Sequence, residues 1–189
     1  ASANAGVALT EADVRRHVGV CLDACHMAVE FEDAATALSL VHGAGISLGK
    51  VQLSAALQVH EGRTSGGPHA LLTPFAEDTY LHQVVIDTPG GLQRHTDLPD
   101  ALAARAPTAA DGEWRVHFHV PIFLAEMSGF ATTQPYLAQL LRLLQQQEIA
   151  TCLEVETYTW DVLPPEYRTT DVCTAIAREL TWARNQLSR

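Results

Sequence analysis

Four short segments of this chain alternate strictly, and that alternation restricts its folds more than any other feature. In VCLD, Val20 and Leu22 share one face while Cys21 and Asp23 share the other; in KVQLS, Val51 and Leu53 oppose Lys50, Gln52 and Ser54. In RVHFHV, Val116, Phe118 and Val120 oppose His117 and His119; in LEVET, Leu153 and Val155 oppose Glu154 and Glu156. Successive side chains of a strand point to opposite faces, so each segment packs one aliphatic face and turns polar groups the other way.

Helical patterns separate these strands. Thr10 to Asp13 forms a capping box that starts a turn through about Arg16, and Asp33 caps DAATALSLVHGAG, which stops at Gly43 and Gly45. Further on, DLPDALAARA is a short helix, and TTQPYLAQLLRLLQQQ places Leu137, Leu140, Leu141 and Leu144 on one face. TTDVCTAIARELTWARNQL closes the chain with Val172, Ile176, Leu180 and Leu187 expected inside. YLHQVVID reads as another strand, DTPGGLQRH as a turn, and the stretches Glu61–His69 and Ala106–Gly112 as loops.

Strands alternating with helices imply a parallel sheet with crossover helices. An open doubly wound sheet is covered on both faces, and its strands are apolar on both. A barrel ringed by helices can instead turn polar groups into its mouth. The expected fold class is therefore α/β, a (β/α)8 TIM barrel. A complete barrel takes about 250 residues, and only four or five βα units are visible in these 189. The chain is thus expected to be one domain over 1–189, the C-terminal half of a barrel. Its open sheet edges call for the missing N-terminal half-barrel or a second copy to complete it.

Composition narrows the partners. The net charge is -10, and Lys50 is the only lysine among 12 basic residues. Binding to a phosphate backbone is driven by clustered Lys and Arg, so nucleic acid is not expected. No apolar run approaches the roughly 20 residues that span a bilayer, and ASANAGVALTEADVRRH lacks the basic start and apolar core of a signal peptide. A cytoplasmic chain is expected. Four cysteines, Cys21, Cys25, Cys152 and Cys173, show no zinc-knuckle spacing and are expected to be reduced.

Polar groups gather at the strand ends. Asp23 and His26 end the first strand, Gln52 and Ser54 the second, His117 and His119 the third, and Glu156 with Tyr158 the last. Carboxylate oxygen and imidazole nitrogen suit a divalent ion such as Mn, Zn, Fe or Co. Asp23 and His26 are candidate ligands, although Asp23 also suits a helix cap and Cys25 suits packing. Glu154 and Glu156 share a face, and a metal or Lys50 would relieve that repulsion. Asp78 and His82 are divided between site and scaffold.

Five segments, GVCLDACHMAVEFED, GISLGKVQLSAAL, FAEDTYLHQVV, WRVHFHVPIF and LEVETYTWDVLP, together resemble the C-terminal half of the metabolite traffic protein EboE family. That family belongs to the xylose-isomerase-like superfamily of sugar phosphate isomerases and epimerases. The resemblance implies metal ligands at Asp23, His26 and Glu156. Glu156, His117 and His119 are the catalytic candidates, with His117 or His119 contacting substrate oxygens and the other also suiting a satisfied interior position. Lys50, Gln52, Tyr158 and Trp160 are the candidate substrate contacts. Gln52 stands where the superfamily often has a metal-binding His, which weakens a three-metal, nuclease-type site. The implied function is a metal-dependent isomerase or epimerase acting on a small polar metabolite in an export pathway; the alternative is a protein that binds and hands over that metabolite without transforming it.

Overall fold

The computed structural model describes residues 9–61, 67–105, 112–127, 129–147, 149, 152–168 and 170–188. Much of the two expected loops therefore lies outside the described residues. No described helix is long and apolar enough to cross a membrane.

The chain opens with α1 (Glu11–His17), whose capping box forms as expected: Asp13 N donates to Thr10 Oγ1, and Thr10 N donates to Asp13. Strand β1 (Gly19–Asp23) leads directly into α2 (Ala24–Val29), with Asp23 as its cap, and Asp33 caps α3 (Ala34–Gly43). Strand β2 (Ser47–Leu53) is separated by Ser54 alone from β3 (Ala55–His60). Helix α4 (Gly67–Leu72) and a 3-10 turn follow, then the hairpin β4 (Val84–Thr88) and β5 (Gly91–His95), and α5 (Leu98–Ala104). The long strand β6 (Glu113–Val120) precedes the short β7 (Glu126–Met127) and β8 (Phe130–Thr132). Helix α6 (Gln134–Gln146), β9 (Cys152–Val155), two 3-10 turns and α7 (Val172–Leu187) complete the fold.

These strands form two sheets, and that arrangement overturns the half-barrel. A three-stranded parallel sheet has the order β1-β2-β9; a separate six-stranded sheet, order β5-β4-β6-β3-β8-β7, is antiparallel throughout. The protein is mixed α/β and not half of a (β/α)8 barrel. The reason is that one polar and one apolar face is also the signature of an antiparallel sheet with a single packed side. Alternation in RVHFHV cannot tell the two apart. Two strands were hidden for related reasons. SAALQVH continues the second strand as β3 after one residue, and DTPGGLQRH holds a tight hairpin in which Gly91 adopts φ 101, a conformation open to glycine.

One hydrophobic cluster joins the sheets, running from Leu22, Val51 and Leu53 of the parallel sheet to Leu57, Val84, Val116 and Phe118 of the antiparallel one. Phe75 meets Phe118 edge-on at 5.0 Å and Phe130 at 5.2 Å, geometries that favour ring edges on ring faces. The four leucines of α6 are buried as expected. Helix α7 differs: Ala175, Glu179 and Ala183 face inward, while Val172 and Leu180 are exposed. The phase is set by Glu179, whose carboxylate accepts from Ile122 N at 3.1 Å and Thr157 Oγ1 at 2.7 Å. A buried backbone donor and a half-buried hydroxyl thus outweigh a more apolar stripe.

Candidate functional site

The two sheets meet where the chain crosses between them at Ser54. Ala55 at the start of β3 pairs with Val120 at the end of β6, and Glu156 N, just past β9, donates to Leu53 O at 3.3 Å. The C-terminal ends of β1, β2, β9 and β6 therefore come together, and each brings a polar side chain.

Asp23 is fixed first. Its Oδ1 accepts from Cys25 N at 2.8 Å, His26 N at 3.2 Å and Ser54 Oγ at 2.9 Å. The described hydrogen bonds all fall on Oδ1, which leaves Oδ2 as a donor atom. Asp23 is a helix cap and a site residue at once.

His119 is fixed by its other end. Nδ1 lies 3.1 Å from Glu156 O. A carbonyl only accepts, so Nδ1 carries the proton and Nε2 carries the lone pair. Nε2 in turn lies 3.2 Å from Nε2 of His117, which stacks on His26 with ring centroids 4.0 Å apart. Orientation of a ligand imidazole through its second nitrogen is the usual support of a metal site. Buried His82 adds to it, its Nδ1 donating to His117 O at 3.0 Å and its Nε2 facing Glu77 Oε1 at 2.8 Å.

Burial sets the protonation states. It lowers His117 to about 3, helped by the neighbouring His119 and His26, and lowers His119 to about 4. Both rings are neutral near pH 7, the form that ligates. Glu156 is pushed above its ordinary value by burial and then by the charges of Asp23 and Glu154. Its Oε2 is buried without a hydrogen-bond partner among the described residues, a costly condition for a carboxylate.

Ligand atoms of Asp23, His119 and Glu156 all lie within 4.8 Å of one another. Two carboxylates and one imidazole, one of those carboxylates carrying the buried Oε2 of Glu156, fit a divalent ion and leave positions open for substrate oxygens. Among the sequence-predicted ligands, Asp23 and Glu156 enter this group, whereas His26 is exposed and stacks on His117. His119, expected as catalytic, is the third member of this group.

The expected substrate contacts are spread wider. Gln52 pairs in register with Asp23, and its Oε1 lies 3.6 Å from Cys21 Sγ. Lys50 sits a rung away, paired with Glu154 at 2.5 Å. Trp160 lines a small space with His119 and Glu156, and shares Pro121 with a neighbouring cavity of about 470 Å³ lined by Phe123, Tyr167 and Arg178. The Tyr158 side chain lies outside the described residues. Asp78 is exposed, so of the pair divided between site and scaffold only His82 approaches the cluster. Residues not foreseen are Glu77, Thr157 and Glu179, which act through backbone and second contacts that no spacing reveals. No protein-family model, curated protein or solved structure gives a match to this chain.

Proposed function

We propose that Asp23, His119 and Glu156 hold one divalent metal ion, and that the protein is a metal-dependent isomerase or epimerase-like enzyme for a small polar, sugar-like metabolite. The observation that carries this reading is the convergence of three ligand groups on one point with Glu156 Oε2 buried and unpaired. The bound ion would supply Lewis acidity toward vicinal substrate oxygens. The chain's own groups orient the site: Ser54 and the α2 amides hold Asp23, and Glu156 O holds the His119 ring. His117 presents a neutral imidazole beside the cluster for proton transfer, and Trp160 with Gln52 flanks the substrate. The EboE-type role, a cytoplasmic step in metabolite export, belongs to this proposal.

One observation favours the second reading, binding without turnover. The polar face of the parallel sheet is open: the Lys50 and Glu154 side chains are 36% and 50% exposed. Enzymes that move protons beside a carbonyl usually exclude water. A further segment or a second copy over this face would close it.

Elemental analysis tests the metal directly. Loaded with Mn2+, the wild type is expected to hold one manganese per chain and Glu156→Ala or Asp23→Ala none; equal manganese in all three overturns the site. Aldoses and ketoses incubated with the loaded protein in D2O should exchange the hydrogen beside the carbonyl. Binding without exchange would establish the carrier.

A further inference from the structure

A second trio shares the site. Ligand atoms of Cys25, His117 and His119 also lie within 4.8 Å of one another. Cys25 is fully buried, and its sulfur makes no hydrogen bond among the described residues. It packs against Val29, Ala56 and Val85, which accounts for a small apolar residue there. That packing does not account for two imidazoles with nitrogens within 4.8 Å of the thiol. The Cys25 backbone is placed by the site itself, its N–H shared between Asp23 Oδ1 and Ser54 Oγ at 2.8 and 3.1 Å.

The two trios cannot be filled together. They share His119, whose Nδ1 is committed to Glu156 O and whose Nε2 has a single lone pair. Their donors also differ in kind. Asp23 and Glu156 offer hard oxygens, whereas Cys25 and His117 offer sulfur and nitrogen, which select softer ions.

We propose that Cys25, His117 and His119 form a thiophilic metal site for Zn2+, Co2+ or Cd2+, and that it competes with the oxygen-rich site for one ion through His119. Binding there forms a metal–sulfur bond as the Cys25 thiol proton leaves to solvent. The His117 ring gives up the proton between the two Nε2 atoms and carries one on Nδ1 instead. The competition rests on the Asp23–His119–Glu156 reading; the thiophilic site stands on its own geometry.

Cobalt and manganese separate the two. The whole chain titrated with Co2+ should develop a thiolate-to-cobalt charge-transfer band, absent in Cys25→Ser. That variant should bind Cd2+ at least roughly 10–100-fold more weakly while Mn2+ binding, followed by electron paramagnetic resonance, is unchanged. In the wild type, Cd2+ should displace Mn2+ one for one. Cadmium NMR of the unmutated protein reports a sulfur ligand without any variant, and Cys25→Ala serves if serine is not accommodated. Cobalt bound without a thiolate band, or a band that survives in Cys25→Ser, overturns the thiophilic site and leaves the oxygen site standing. A band with no Mn2+ binding overturns the oxygen site and the competition.

Discussion

The two sheets of this protein divide its labour by burial. Along β6 every second residue from Trp114 to Val120 is buried, β3 is largely inside, and Val84, Val85 and Ile86 of β4 are buried. Along β1 and β9 only Leu22 is buried. The antiparallel sheet supplies most of the core, and the parallel sheet, joined by His117 and His119 at the end of β6, supplies the polar ends. Most of the packing and most of the polar groups therefore lie in different parts of the molecule, which meet at Ser54 and the end of β6.

That division can be broken by mutation, and the effects should be graded. Phe118→Ala removes a fully buried ring from the antiparallel side and should cost about 3–5 kcal/mol, read by chemical denaturation. A loss below about 1 kcal/mol would mean that the core lies elsewhere. Glu61→Gln comes next. Its carboxylate accepts from Arg105 Nε at 2.5 Å and from Trp114 Nε1 at 2.8 Å, and breaking this buried pair should cost about 3 kcal/mol. Arg105 holds the Glu61 carboxyl below its ordinary value of 4.5. A carboxyl lowered on folding adds stability that is complete above its unfolded-state value and is lost as the pH falls through the folded value. The wild type should thus lose part of its advantage over Glu61→Gln as the pH drops from about 5 to 3.

Effects in the parallel sheet should be smaller and of different kind. Gly19→Ala would place a Cβ 2.7 Å from Ser47 O, forcing β1 from β2 at about 1–3 kcal/mol and loosening the Asp23 cap. Glu156→Gln should leave the metal-free protein equally stable or slightly more so, by under about 1 kcal/mol, because it removes an unpaired buried carboxylate while abolishing the ion. A large destabilisation would assign Glu156 to the scaffold. Lys50→Met, at an exposed pair, should not move the thermal midpoint at all.

Legibility from sequence followed the same division, for physical reasons. Local signals held: the Thr10–Asp13 box, the Asp33 cap and the leucine face of α6 each depend on residues within a turn or two. Strand direction was not legible, because the alternation of His117 and His119 with Val116 and Phe118 is the same in parallel and antiparallel ladders. In the site, Asp23 and Glu156 were found as polar residues at strand ends. His26 was favoured over His119 as a ligand because it stands three residues from Asp23; the fold stacks it on His117 instead. Helix α7 misled through composition, since only the distant Ile122 and Thr157 explain an inward Glu179.

The passage of the chain from β2 to β3 through Ser54 alone has a mechanical meaning. Ser54 Oγ is bonded to Asp23 across the junction while its neighbours on either side belong to different ladders. Shear between the sheets would pass through Ser54 to the spacing of Asp23, His119 and Glu156. Affinity for the proposed ion should then act as a strain gauge for the packing around it, weakening under pressure or mild denaturant before the fold itself gives way.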